Sequence, residues 1–593
     1  MNVVFPKRYQ TLAAGAAIVL AGLLAYANTV DHDFVWDDAS SILLHRHVQD
    51  PAQFTQLFLE DQHAFGRGEG NHYRPLTAAS FMLDFALAHG RPEGDPETWG
   101  IPDVEAFPFQ VSNVLWHILA GVLLLGILTR AGAPLAVRWI VPLVWVAHPL
   151  HTQAVAYISG RADPIAATFM FAAVFLYLQL GGAGRKAAAW TGTLLLGAAA
   201  LLSRESAAIL PVLLLLFAVT RPHLQRAETP GDDLQTPEAP PLHWSHFIPP
   251  LVVGAGVIVY GVLRVTVLAF APVTEGPITP LAQRVVEAFQ AFALYIRLLF
   301  VPTGLHMERT LDGVPVWVAA IGVVLFLGCC LLLAYCLRNG HRRAATGMAW
   351  FLLTWLPISG FFPLNAPMAE HWMYVPMAGF WWAMAELVWA KVPSGRAPQT
   401  AFATAAGALA LAFLALTADR NEAWRDNETL YRTTLEHNPN SIRVHFNLAV
   451  TYEDLLDNPV GARRHFEQVL ALYESREADE ETEAWFFDDR LEAHLSLGRL
   501  YLEEDRYQEA IDQFLVLLQI QPEGHYAAMA GEAAFGIGRA LLTAGQTGEA
   551  LGYFDYASQL RPDLRLEADK LLIRVLPGWR TGLIEEQGNQ SGD

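Results

Sequence analysis

At 593 residues the chain exceeds one ordinary domain, and with 53% hydrophobic residues and a mean hydropathy of +0.27 it is too apolar for an ordinary soluble protein. Its net charge of −20 excludes the basic surface that nucleic-acid binding needs. Its three cysteines, Cys329, Cys330 and Cys336, share one apolar run, which excludes a disulfide framework and reads them as small packing residues.

The N-terminus "MNVVFPKRYQ" places Lys7 and Arg8 before an apolar run, the mark of a cytoplasmic start. Ala25-x-Ala27 at the end of that run resembles a signal-peptidase site, but the many later apolar segments favour a retained signal-anchor. A membrane span needs about 20 apolar residues. Ten more are readable near 111–129, 138–150, 164–181, 187–202, 206–220, 246–270, 315–337, 346–362, 372–390 and 401–417. The run 289–303 is read as re-entrant or interfacial, because a twelfth span would put "RNGHRR" (338–343) on the wrong side. The basic loops at Arg130 and Arg138, Arg185 and Lys186, Arg221 and Arg226, 338–343, and Lys391 with Arg396 then share one face. A Pro- and acid-rich linker over 221–245 lies with them.

The opposite face receives the loop 30–110 and the chemistry-bearing segments. "FVWDD" sets the adjacent carboxylates Asp37 and Asp38 just past the first span, beside the interface residues Phe34 and Trp36. A carboxylate there suits a general base or a divalent cation, and mutual repulsion is expected to raise one pKa. "NHYRPLTAASF" offers Tyr73 and Arg74, a guanidinium suited to phosphate. "AHPLHTQAVAYISGRADP" offers His148, His151, Arg161 and Asp163. His-x-x-His has no evident third ligand, so a polar cluster is expected there and not a metal site. "LLSRESAAIL" places Arg204 and Glu205 between apolar runs, where charges must be paired or wet. "APMAEHWMYVPMAGF" adds Glu370, His371 and Tyr374.

From Asp419 onward there are 33 acidic and 16 basic residues, so the tail is a soluble acidic domain. A period recurs in it. Leu497, Gly498, Tyr501, Ala510, Phe514 and Pro522 are spaced as in a tetratricopeptide repeat. Ile537, Gly538, Leu541, Ala550, Phe554, Ala557 and Pro562 repeat the register. Leu448, Ala449, Tyr452, Ala462 and Phe466 match with one inserted residue, and the acidic insert "ESREADEETEAWFFDD" follows them.

The order "FVWDD", "YRPL", "HPLHTQAVAYISGRAD", "SRES", "YIRLLFVPTGL", "AEHWMYVPMAGF", "RNEAWRDNETLY" and then the repeats resembles the transmembrane-and-tetratricopeptide O-mannosyltransferases of animals and their bacterial relatives. More distantly it is similar to the protein O-mannosyltransferases of the GT-C fold. The resemblance implies an all-α chain. A polytopic GT-C-like domain of about eleven spans would occupy 1–418, and a tetratricopeptide α-solenoid 419–593. It implies transfer of a mannose-like sugar from a polyprenyl-phosphate donor to a hydroxyl of an extracytoplasmic protein acceptor, which the repeats recruit. The setting implied is a bacterial inner membrane, with active site and repeats on the extracytoplasmic side, the chain in contact with membrane lipids and with no nucleic-acid partner. No cofactor beyond the donor is required, and a divalent cation is a candidate. By position Asp37 and Asp38 are the catalytic carboxylates, either one as base. Tyr73, Arg74, Arg161, Arg204, His371 and Tyr374 fall to the donor phosphate and lipid, and His148, His151, Asp163, Glu205 and Glu370 support them. His371 stands where an arginine is usual, and "SRES" replaces a lysine–glutamate pair. Two rival readings remain at this point: a membrane-anchored repeat scaffold without catalysis, and a transferase acting on lipid or polysaccharide.

Overall fold

The computed structural model describes residues 7–65, 71–89, 104–179, 186–225, 244–268, 279–362, 364–475 and 480–575. Most of the linker expected over 221–245, and residues 476–479 of the acidic insert, lie outside these residues. Every regular element among the described residues is a helix. The chain divides into two compact units, one within Met1–Thr433 and one dominated by Thr434–Asp593. Residues 419–433, read from the sequence with the tail, group with the first unit.

In the first unit five helices are long and apolar enough to cross a membrane: Phe107–Arg130, Ile158–Leu178, Trp244–Thr266, Trp317–Arg338 and Arg396–Trp424. Shorter apolar helices run over Gln10–Ala25, Pro75–Ala88, Leu135–Val146 and Ala187–Leu201. Hydrophobic side chains such as Val259, Val262, Val324, Leu327 and Leu331 stand exposed on the peripheral helices, a surface that suits hydrocarbon. The core between the helices is aromatic, with Trp145, Trp350, Trp355, Trp382 and Tyr295 fully buried. Helices Arg342–Trp355 and Pro376–Trp389 approach closely at Gly347 and Gly379. A Cβ on Gly379 would come 2.7 Å from the Gly347 carbonyl oxygen.

Residues 289–303 belong mostly to an unbroken helix, Leu281–Phe300, so there is no re-entrant break within it. Arg284 near its start donates to the Phe361 carbonyl, and Tyr295 near its end donates to the Ala369 carbonyl. Both residues are thus tied to the one segment that connects the helices Arg342–Trp355 and Pro376–Trp389. Pro75 opens a second helix unforeseen as such, Pro75–His89 inside the 30–110 loop. Proline suits a first helical position, and it biases the preceding residue toward extended backbone.

In the second unit the helices Ile442–Val450, Pro459–Ser475, Glu480–Glu503, Tyr507–Leu517, His525–Thr543, Thr547–Leu560 and Leu564–Val575 each pack on the next. The spaced positions Leu497, Tyr501, Ala510, Phe514, Ile537, Leu541, Ala550, Phe554 and Ala557 are all buried. Pro522 and Pro562 lie just beyond helix ends, as a residue without an N–H should. The inserted residue of the earlier copy is absorbed by a π-helical turn at Thr451–Leu455.

Candidate active site

The segments singled out in the sequence gather at one end of the first unit. Leu76 N–H donates to the Leu202 carbonyl, Thr77 Oγ1 to the Ser203 carbonyl, and Asn421 Nδ2 to the Ala25 carbonyl. The carboxylate pair follows Trp36, whose φ of +52° is left-handed. That conformation costs a non-glycine residue about 1–2 kcal/mol, so it persists only where surroundings enforce it. Here Trp36 N–H donates to Asn427 Oδ1 at 2.9 Å, and Asp33 N–H donates to the Arg425 carbonyl at 2.8 Å. The Trp36 indole stacks on Tyr157 at 5.5 Å, and Tyr157 stacks on Trp424 at 5.3 Å.

The two carboxylates end in different surroundings. Asp38 is fully buried: Oδ1 accepts from Ser159 N–H at 2.7 Å and Oδ2 from Val35 N–H at 3.0 Å. Burial pushes its carboxyl up to about 7 against the pull of these hydrogen bonds. Repulsion from Asp37, the cause expected from the sequence, is a minor contribution. Asp37 is half-buried and is hydrogen-bonded with the Tyr157 hydroxyl. Burial and both carboxylates hold the Tyr157 phenol well above its ordinary range, so it remains a proton donor. His63, bonded to Ser40 at 2.8 Å, and Tyr431 lie in the field of Asp37. Asp37 is therefore the less buried of the two carboxylates, and the two hydrogen bonds to Asp38 hold the loop that carries both.

The arginines divide similarly. Arg74 Nε donates to Glu205 Oε2 at 3.1 Å, and Arg204 Nη1 donates to Asp163 Oδ2 at 2.9 Å. Burial raises the Glu205 carboxyl, but the charges of Arg74 and Arg204 outweigh it and bring it below its ordinary value. Arg74 and then burial push His72 down to about 3, so it stays neutral. His371 is likewise held neutral by burial and by Arg204 and Arg74. Glu205 Oε1 and His371 Nδ1 are buried without a hydrogen-bond partner among the described residues. This cluster therefore holds buried groups that can still take part in hydrogen bonds.

Arg161 does not fit the phosphate role expected of it. It is wholly buried, and its guanidinium is used by Asp84, Asn113 Oδ1, Ser80 Oγ and the Phe109 carbonyl, over the Phe81 ring. Tyr374 is also internal, with its hydroxyl bonded to His117 Nδ1 at 2.6 Å and its ring against Trp145 and His151. Tyr73 donates to the Phe58 carbonyl at 3.1 Å. His148 accepts from Leu150 N–H and donates to the Leu299 carbonyl, so neither nitrogen is open to a metal. Glu370 Oε1 accepts from His306 N–H and Arg309 Nε, both at 2.8 Å, and fixes the loop after Gly304. Among the described residues no three His, Cys, Asp or Glu side chains converge as a metal site.

Comparison with known proteins agrees with the motif order. Protein O-mannosyl-transferase TMTC3 of Mus musculus is 23% identical over 535 residues, covering 85% of this chain and 54% of its own. The chain is a relative of the TMTC protein O-mannosyl-transferases. TMTC1 of Homo sapiens is 24% identical over 78% of this chain and 55% of its own, and TMTC4 of Homo sapiens 24% over 78% and 66%. The chain spans about half the length of the first of these relatives. No protein-family model matches it, and no solved structure matches it.

Several residues around the carboxylates were not singled out from the sequence: Tyr157, Ser159, His63, Trp424, Asn427 and Tyr431. Tyr157 and Ser159 lie within "HPLHTQAVAYISGRAD", and Trp424, Asn427 and Tyr431 within "RNEAWRDNETLY", a polar-aromatic segment whose contacts lie hundreds of residues upstream.

Proposed function

We propose that this chain is a membrane glycosyltransferase that moves a mannose-like sugar from a polyprenyl-phosphate carrier to a hydroxyl of an extracytoplasmic protein. The observation that carries the proposal is the split of the acid pair. One carboxylate is half-buried beside a phenol, while the other is fully buried and locked by two backbone N–H groups. Asp37 takes the proton of the acceptor hydroxyl as its oxygen attacks the anomeric carbon. The bond from that carbon to the phosphate oxygen breaks on the opposite face, its electron pair leaves with polyprenyl phosphate, and the anomeric centre inverts. Arg74, Arg204, Glu205 and His371 line the donor side. About eleven spans in a bacterial inner membrane place this end of the bundle outside the cytoplasm. The helical pairs of the second unit act as tetratricopeptide repeats that hold the acceptor and raise its effective concentration.

The test uses the full chain in detergent with a polyprenyl-phosphate sugar and acceptor polypeptide, followed by mass spectrometry and determination of the product's anomeric configuration. Transfer that is lost in Asp37→Asn, with an inverted product in wild type, is expected. Retention of anomeric configuration, or full transfer by Asp37→Asn, removes the mechanism.

A further inference from the structure

Three donor groups at the end of the last long helix of the first unit have no use in the scheme above. Arg420 stands in the last turn of Arg396–Asn421. Helix carbonyls modestly favour a cation there, which is the bland account of its presence. That account leaves the hydrogen bonds unmade. Nε and Nη2 of Arg420 are buried without a partner among the described residues, and so is Nε1 of Trp424. The Arg420 guanidinium lies 5.8 Å from the centre of the Trp424 ring. Each buried donor left unpaired incurs its desolvation cost, most of all on a charged group, and the dipole does not offset the set.

The chemistry of these atoms narrows the ligand. All three are donors, so the group that satisfies them is rich in acceptors. Charge points the same way. Arg74 is closed by Glu205, Arg204 by Asp163 and Arg161 by Asp84. Around Arg420 the nearby charges are Glu370, already bonded to Arg309, and Asp419, which is exposed and screened by solvent. A positive excess remains at Arg420, and it faces an oxyanion best. The place is also apt, since Trp424 stacks on Tyr157, and Tyr157 is hydrogen-bonded with Asp37. Glu370 and His371, adjacent in sequence, act on Arg420 and on the Arg74–Arg204 cluster respectively.

We propose that Arg420 and the indole N–H of Trp424 form the seat of the donor's phosphate oxygens. The ligand's identity rests on the transferase reading. When the anomeric bond breaks, the phosphodiester monoanion becomes a monoester able to carry a second negative charge, which Arg420 neutralises.

The experiment measures binding and does not depend on turnover. Thermal melting of the full chain in detergent is followed against farnesyl phosphate, with farnesol and phosphatidylglycerol as comparisons. Farnesyl phosphate is expected to stabilise wild type and Asp37→Asn alike, and farnesol neither. Arg420→Gln is expected to weaken farnesyl phosphate binding roughly 10-fold or more, with Arg420→Lys between. Trp424→Phe, which keeps the ring stack, should weaken it several-fold. Equal affinity in wild type and Arg420→Gln overturns the proposal, whether or not the protein transfers sugar. Phosphatidylglycerol competing at equal affinity would make the site a lipid-headgroup seat and overturn the donor assignment. Full transfer by Asp37→Asn would sink the base assignment while leaving the Arg420 measurement standing.

Discussion

Ser159 and Asp38 are joined across 121 residues of sequence by one hydrogen bond, from the Ser159 backbone N–H to Asp38 Oδ1 at 2.7 Å. That bond ties the acid-pair loop to the turn before the helix beginning at Ala162. It holds Asp38 fully buried, while the neighbouring Asp37 stays half-buried.

Asp37 and Asp38 should therefore fail differently. Asp38→Ala strands the N–H groups of Val35 and Ser159, at about 1–3 kcal/mol each, and is expected to lower both the melting temperature and transfer. Asp37→Asn should melt as wild type does yet lose about 10²–10⁴-fold in rate, the usual worth of a general base. Melting curves and transfer rates measured together decide this. A destabilised Asp37→Asn, or an unaffected Asp38→Ala, reverses the assignment.

The pH dependence has a definite sign. With its carboxyl raised to about 7 from 3.8, Asp38 binds its proton more tightly in the folded chain than in the unfolded one. The stability from that proton is fully present below 3.8 and is lost as pH rises toward about 7. Wild type should accordingly lose stability relative to Asp38→Asn over this interval and run parallel to it above. Ionised Asp38 holds its two N–H donors more strongly, so transfer should rise through the same range. Melting at pH 5, 6, 7 and 8 reads the first effect. A stability difference that does not change with pH contradicts it.

Arg161 is expected to behave as an architectural residue. Arg161→Met leaves Asp84 as an uncompensated buried charge, at a cost of about 3–5 kcal/mol. Adding Asp84→Leu should recover part of that loss, because the pair is then removed together. A double-mutant cycle on melting temperature measures the coupling. If Arg161→Lys instead raised the KM for donor at unchanged stability, the phosphate role would be restored.

In the second unit Phe514 is wedged between two glycines. A Cβ on Gly498 or on Gly536 would overlap its ring. Gly498→Ala should cost about 1–3 kcal/mol by overpacking and accelerate hydrogen exchange in helices Glu480–Glu503 and Tyr507–Leu517. Phe514→Leu in the same chain should relieve it. If the repeats hold the acceptor, Gly498→Ala raises the acceptor KM and leaves kcat unchanged. Unaltered exchange would show that the ring has somewhere else to go.

Local pattern was enough to reveal some of this protein. Apolar runs declare a membrane part because hydrocarbon demands uninterrupted apolar residues. The spacing of Leu497, Gly498, Tyr501, Ala510 and Phe514 declares paired helices, because small and large residues must alternate where two helices touch. The acid pair and the order of motifs pointed to a transferase-like site for the same reason: each is a short run read in place. Tertiary structure alone decided which group pairs with which. Asp37 and Asp38 are neighbours in sequence, but Ser159 takes one and leaves the other. Arg161 reads as a phosphate ligand until Asp84, 77 residues away, claims it. Arg420 and Trp424 look like the end of an apolar helix until their donors are found without partners among the described residues. Charge pairing and hydrogen bonding depend on groups brought together by packing, and no spacing along the chain encodes them.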